Sequence, residues 1–470
     1  MHQDNKPRTD KPAVNDLSFS DGLTLSQLNM IHSMFLPSWP AIPHLGEMEL
    51  PKREIHLEPV MQKPKIVVLG SGFGAAGLLK NIDRAAYDVT LVSPRNHFLF
   101  TPLLASTAVG TLELRSITEP VRDLLQADDT YYRAKAERID RQRQVVVCTP
   151  LEEGPSFEVP YDKLVVSVGA VTNSFGIPGV KDHCLFLKDG VDSVAIRAKV
   201  IDLFERASLD STPPQEKSRL LQFVIIGGGP TGVEFAGELS DFVRREAERS
   251  YPHLKEYVRL CLLEAGPTIL TAYNTSLRDH AILSLRRNGV DVRMGVPVVG
   301  VQPDVLNLKD GSSFPYGMAV WSSGIKPNDV VNQLGLPLDA RGRIAVDKRL
   351  KVSGADEIYA LGDCAGVDSE NLAPTAQVAS QQGKYLGNAL NAAGRGEIPV
   401  EFHFKDQGRL AYVGGGDAIA DLPFAKIKGF PAWVFWRSVY LTKLSSFRSQ
   451  VQVCFDWVKG ALFGRDTSQF

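Results

Sequence analysis

Gly70, Gly72 and Ala75 form a G-x-G-x-x-A turn, directly after the apolar run 66–69 and directly before a stretch of helix-forming composition, with Phe73 and Gly74 inside the turn. The first glycine makes a tight turn, and the second lets the main chain approach a pyrophosphate. The small third residue keeps helix and sheet close, and the helix N-terminus meets the phosphate charge. The pattern returns complete at Gly227, Gly229 and Gly232, with Pro230 and Thr231 inside it, after the run 223–226. Glu264 ends the next strand-like run of this second copy, 260–264. A carboxylate there accepts hydrogen bonds from both ribose hydroxyls and repels a 2′-phosphate, so it favours NAD(H) over NADP(H). The first copy has Ser93 in the corresponding place, which leaves its ribose contact to a hydroxyl or to the main chain. A third apolar run, 357–360, leads into Leu361, Gly362 and Asp363. An Asp after glycine at a strand end can accept hydrogen bonds from ribityl hydroxyls, and after two dinucleotide turns this reads as an FAD signal.

These turns need βαβ units to hold them. Strands are expected at 66–69 and 88–93 with a helix over 75–84 between them. A second pair at 223–226 and 260–264 flanks a long helix over 231–249. Run 161–170, with Gly169 next to its end, and run 319–324, ending in Gly324, add further strands. The fold class is therefore α/β, with two Rossmann-like dinucleotide-binding domains. The boundaries read as an N-terminal extension (1–63), a first nucleotide domain in two parts (64–186 and 331–402), a second nucleotide domain (187–330) and a C-terminal module (403–470). Residues 1–16 are polar with mixed charges and lack the apolar core of a secretory signal. Residues 23–43 are more apolar and are expected to pack on the body.

The C-terminal module is rich in aromatic and basic residues. Trp433, Phe435, Trp436, Val439, Tyr440, Leu441 and Leu444 fit one broad helical face, flanked by Arg437, Lys443, Arg448, Lys459 and Arg465. Such a helix suits the lipid interface; a core or dimer-packing helix is the other reading.

Composition narrows the classes. A chain of 470 residues suits two or three domains, and 44% apolar with 23% charged residues is ordinary for a globular protein. A net charge of -2 supplies no basic field for nucleic acid. Cys148, Cys184, Cys261, Cys364 and Cys454 include no C-x-x-C pair, which argues against a zinc ribbon or a dithiol site. No calcium-loop pattern is present, no metal is expected, and no run reaches the ~18 apolar residues of a membrane span.

Taken together, GSGFGAAG, VVSVGA, VIIGGGPTGVEFAGEL, VWSSG and YALGDCAG resemble the two-dinucleotide-binding-domain flavoproteins, glutathione-reductase-like in build. Within them, SPRNHFLFTPLL (93–104), VGTLELRSITEP (109–120) and APTAQVASQQGKYL (373–386) are similar to type II NADH dehydrogenases, from residue 65 to 466. That resemblance implies FAD held by Gly70, Gly72, Phe73, Gly74, Arg95, Thr101, Thr172, Asn173, Gly362, Asp363 and the segment Ala376, Gln377 and Val378. It implies NADH on Gly229, Pro230, Thr231, Glu264 and Gly324, with Glu234 where nicotinamide meets flavin. It places Gln377 and Gln381, four apart on one helix face, as amide donors beside a quinone pocket. It further implies hydride transfer from NADH to FAD, two electrons to a membrane quinone and no proton pumping. The C-terminal module would lie on the membrane and carry a homodimer contact. The mitochondrial inner membrane surface comes first as location, a plastid or bacterial membrane second. Two other readings stay open: a sulfide:quinone oxidoreductase using Cys364 and Cys184, and a flavoprotein whose NADH binding switches dimerisation, as in apoptosis-inducing-factor-like proteins.

Overall fold

The computed structural model describes residues 63–368 and 370–468. The expectations for 23–43, and for the extension apart from Lys63, lie outside the described residues. Six helices position the site: α1 (Phe73–Leu79), α2 (Gly190–Ser208), α3 (Pro230–Phe242), α4 (Ala376–Gly394), α5 (Phe430–Lys443) and α6 (Phe447–Phe463).

Two sheets, parallel around their central strands, carry the glycine turns. In the first, Lys65–Leu69 lies between Asp88–Val92 and Lys163–Val166, with Ala355–Ala360 beyond. In the second, Gln222–Ile226 lies between Arg259–Glu264 and Met318–Trp321. The strand that feeds each turn is therefore central and, after its polar first residue, apolar and buried, as a strand covered on both faces requires. Strands Ala170–Thr172 and Ile325–Pro327 pair antiparallel where the chain crosses between the sheets. After the second crossing the chain rejoins the first sheet at Ile344–Val346 and Lys351–Val352, and Ala355–Ala360 then pairs with Lys163–Val166.

Helix α1 packs on α4 at backbone distance. A Cβ on Gly383 would lie 2.0 Å from the Gly74 carbonyl oxygen, and one on Gly77 would lie 2.7 Å from that of Ser380. Any side chain at Gly383 would push α4 away from the first turn.

Several expectations change in detail. The helix expected over 75–84 ends at Leu79. The helix expected over 231–249 is α3 extended by a wider π-type turn, Val243–Ala247, and a last turn to Ser250. The run 161–170 divides at Gly169, whose φ of +68° breaks the strand before Ala170. The C-terminal helix is two helices, α5 and α6, preceded by the antiparallel strands Arg409–Gly414, Asp417–Asp421 and Lys426–Gly429.

Candidate active site

At the first turn, Gly70 (φ +102°) donates from N to the Val92 carbonyl at 2.8 Å, bending the chain off its strand. A Cβ on Gly72 would meet no protein atom within 4 Å, so the main chain faces open space where a pyrophosphate must approach. Ser93 is almost fully buried; its hydroxyl donates to Ser71 Oγ (3.0 Å) and accepts from the Arg95 amide (3.2 Å). It braces the loop. Arg95 is half-exposed beside Asp189 at 3.4 Å, and Asp363 lies 3.7 Å from Lys188 Nζ. The Phe73 ring stands edge-on to Phe98, 4.9 Å between centroids, and leans on Phe100 at 5.8 Å, just before Thr101 opens a short helical turn. Thr172 and Asn173 end the crossing strand. These groups fit FAD: an open glycine cradle, then an acceptor carboxylate after Ala355–Ala360, beyond the neighbouring strand Lys163–Val166 of the same sheet.

The second turn is built the same way. Gly227 donates from N to the Leu263 carbonyl at 2.8 Å, and the second glycine, Gly229, again faces open space. Pro230 takes the first helical position, where its missing N–H costs nothing. Glu264 accepts from the amides of Gly228 and Gly266, each at 2.6 Å. Its two oxygens thus hold the loop and keep a lone pair each for a ribose.

Glu234, on the second turn of α3, is 7% exposed. Its Oε1 accepts from the Tyr412 amide (3.4 Å) and from Trp436 Nε1 (3.3 Å). Burial pushes its carboxyl up to about 8; the two hydrogen bonds oppose this and the charge of Glu238 adds to it. Tyr440 lies beside it, its phenol raised well above the ordinary range by burial first and by Glu234 second. The Tyr440 ring meets Phe100 edge-on at 6.1 Å, so aromatic rings run unbroken from the first glycine turn to Glu234. Trp436 and Tyr440 therefore point inward, against the membrane-facing role given to them above. Their spacing of four announces a shared helix face, but nothing in it says which way that face turns.

The glutamines are engaged differently from expectation. Gln377 accepts from the Gln407 amide (3.0 Å) and donates to the Gly408 carbonyl (3.3 Å); Gln381 does the same with both main-chain groups of Lys405, at 3.0 and 2.9 Å. Both amides clamp the segment 405–408, which leaves one N–H on each for a ligand. Gln382, absent from the expected set, is 1% exposed and accepts from the Gly362 amide at 2.7 Å. Of the three residues opening α4, the Val378 amide is already capped by Thr375 Oγ1, leaving those of Ala376 and Gln377.

One turn beyond Glu234, Glu238 accepts from Ser106 Oγ (2.8 Å) and Thr111 Oγ1 (2.6 Å), and pairs with Arg465 at 3.2 Å. Asp456 of α6 accepts from the Glu113 amide and the Ser116 hydroxyl. The C-terminal module is thereby tied to α3 and to the segment 106–116. Arg437 stacks between Trp433 and Trp457, 4.1 and 4.5 Å from their ring centres, and burial lowers its pKa. Neither Arg437 nor Arg465 is the lipid-facing cation that the sequence suggested. The longer exposed apolar stripe lies on α6, at Phe447, Val451, Phe455, Val458 and Leu462, while α5 exposes Phe430 and Val434.

No pair of cysteines stands near the first turn: all five are free. Cys364 sits buried in the main core and Cys184 in the separate core of the second domain. Burial raises their thiols to about 11 and about 12, respectively, so neither is a thiolate at neutral pH.

Two dinucleotide-binding sheets, an open glycine cradle on each and no redox dithiol define a flavoprotein oxidoreductase. Residues 64–383 match the pyridine nucleotide-disulphide oxidoreductase family and residues 407–466 match the NDH2 C-terminal domain. The chain is 42% identical to a probable NADH dehydrogenase of Dictyostelium discoideum over 91% of its length and 96% of the relative's. It is 40% identical to an internal alternative NAD(P)H-ubiquinone oxidoreductase A1, mitochondrial, of Solanum tuberosum, over 87% of this chain and 88% of that one. The structure of NDH2 from Plasmodium falciparum in complex with NADH is similar, with a TM-score of 0.84 at 27% identity, covering 87% of this chain and all of that one. The chain belongs to the type II NADH dehydrogenases.

Proposed function

We propose that the protein is an FAD-dependent NADH:quinone oxidoreductase that takes a hydride from NADH and passes two electrons to a membrane quinone without moving charge across the bilayer. The observation that carries this reading is the position of Glu234. One helix, α3, begins at the donor glycine turn and brings this buried carboxyl against Trp436, Tyr412 and Tyr440 of the C-terminal module. FAD bound at the first turn supplies the redox chemistry between the two substrates. Gly70, Gly72, Phe73, Gly74, Arg95, Thr101, Thr172, Asn173, Gly362, Asp363 and the start of α4 hold it. Gly229, Pro230, Thr231, Glu264 and Gly324 hold NADH.

Reduction of a quinone by NADH consumes one proton from solution. Glu234, protonated below about pH 8, stands ready to give that proton to a quinone oxygen. Tyr440 offers a neutral O–H beside it. Gln377 and Gln381 each keep one N–H free to donate to a quinone oxygen. A purified preparation should oxidise NADH rapidly only when a short-chain quinone is added. Flavin bleaching without turnover would keep the donor half of the reading and remove the acceptor half.

Glu264 sets the donor preference. Glu264→Gln is expected to raise the ratio of NADPH to NADH efficiency by at least about tenfold, because the charge that repels a 2′-phosphate is gone. Equal ratios for parent and variant would remove Glu264 from the ribose site.

The membrane reading moves from α5 to α6. Phe447, Phe455 and Leu462 are 78%, 65% and 71% exposed on one stripe, with Arg448 and Lys459 alongside. An apolar stripe with basic neighbours suits the lipid interface, and among the described residues no helix is long and apolar enough to cross a bilayer. The mitochondrial relatives support a reading in which this stripe meets the inner membrane surface, with α5 and α6 as the homodimer contact. Changing Phe447, Phe455 and Leu462 together to serine should release the protein from anionic liposomes in a flotation assay while NADH still bleaches the flavin. Undiminished flotation would put the anchor elsewhere.

A further inference from the structure

Phe175 is a large aromatic residue in two unfavourable situations at once. Its side chain is 59% exposed, and its backbone holds a φ of +52°, a left-handed conformation that a bulky residue rarely adopts. The surroundings enforce both. The Phe175 amide donates to Asn173 Oδ1 at 2.8 Å, which closes the turn. Trp321 Nε1 donates to the carbonyls of Asn173 and Ser323, at 3.0 and 2.8 Å, and the Asn173 amide donates to the Gly324 carbonyl at 3.2 Å. These bonds lock the end of one crossing strand to the segment 322–324. The ring is held against Gly324, where a Cβ would lie 2.3 Å from its tip, and 6.5 Å from the Trp321 ring.

The sheet order says what lies above this ring. Gln222–Ile226 leads to the donor glycine turn. On one side of it stands Arg259–Glu264, which ends at the ribose carboxylate; on the other stands Met318–Trp321, which leads into 322–324. A dinucleotide with one ribose at Glu264 and its pyrophosphate at Gly229 must lay its other half over Ser322, Ser323 and Gly324, at the carboxyl ends of the strands. Phe175 overhangs that end from the side of Thr172 and Asn173.

We propose that Phe175 is a positioning residue for the hydride donor: its exposed ring packs on the nicotinamide-ribose half of NADH and holds that half against the flavin side of the cleft. The proposal rests on the donor-site reading above and adds a residue to it. A flat apolar face is suited to a flat ring, and the locked turn spares the binding step the cost of ordering the side chain. The left-handed turn is then retained because it aims the ring.

The test uses the FAD-loaded full chain and the variants Phe175→Ala and Phe175→Trp. NAD+ binding by calorimetry is expected to weaken about 3- to 10-fold in Phe175→Ala and to recover in Phe175→Trp. In rapid mixing, the NADH concentration giving half-maximal flavin bleaching should rise by the same factor, while flavin reoxidation by a short-chain quinone keeps the parent rate. Because the side chain is mostly solvated, the variants should fold and retain FAD as the parent does. NAD+ binding unchanged in Phe175→Ala overturns the proposal. So does an equal loss in both half-reactions, which would mark a general effect on the domain junction. If NADH fails to bleach even the parent flavin, the donor-site reading falls first and the proposal with it.

Discussion

Glu234→Gln is expected to slow flavin reoxidation by quinone about 100-fold, within the range of a lost general acid, while flavin bleaching by NADH stays close to the parent rate. Glutamine keeps the size of the side chain and its acceptor oxygen for Trp436 and Tyr412, but it carries no proton to give. The pH dependence separates this from a packing defect. The parent carboxyl titrates at about 8, so its proton-donating form dominates below that pH. The quinone half-reaction should be flat up to about pH 8 and fall above it, and in Glu234→Gln that limb should vanish. The substitution has the opposite sign of effect on stability. A carboxyl whose folded pKa is raised above its unfolded value stabilises the fold fully below the unfolded value, near 4.5. That contribution is lost as pH climbs toward 8. Glu234→Gln removes the loss and should be more stable than the parent at pH 8, by an amount on the order of a few kcal/mol. Denaturation midpoints at pH 5 and pH 8 check this; a parent no less stable at pH 8 relative to the variant would mean Glu234 is solvated.

Arg465→Met should destabilise the protein by roughly 3–5 kcal/mol, the cost of leaving one partner of a buried ion pair uncompensated. Arg465 and Glu238 are 8% and 5% exposed at the side chain, and their contact is 3.2 Å. Ser106 and Thr111 still donate to Glu238 in the variant, but two hydroxyls do not replace a guanidinium. Adding Glu238→Gln to Arg465→Met removes the stranded charge and should recover much of the loss. Urea midpoints of the two single variants and the double variant form the cycle. A loss under about 1 kcal/mol for Arg465→Met would show a pair worth no more than a surface contact.

The two nucleotide domains are legible in the sequence because their requirements are local. A tight turn and an approaching pyrophosphate demand glycine at fixed spacing, and a doubly covered strand demands an apolar run. The C-terminal module is less legible because its requirements are long-range. Trp436 and Tyr440 face inward only because α3 brings Glu234 to meet them, and Arg437 is buried only because Trp433 and Trp457 close on it from two helices. From sequence, aromatic residues with basic neighbours read equally as a membrane face. Gln382 escaped for a related reason: its role is to hold the Gly362 amide, and that contact joins residues far apart in the chain. Ser93 was visible as a departure from the acidic pattern, but its use, bracing Ser71 and the Arg95 amide, appears only once the loop is folded.

The most direct test of the central claim is a two-step rapid-mixing experiment on the FAD-loaded protein without oxygen. NADH is added first and the flavin absorbance followed, then a short-chain quinone is added and the absorbance followed again. The predicted result is fast bleaching by NADH and fast, complete recovery with quinone, the recovery alone slowed in Glu234→Gln. Bleaching by NADH followed by no faster recovery with quinone than with buffer would contradict the account.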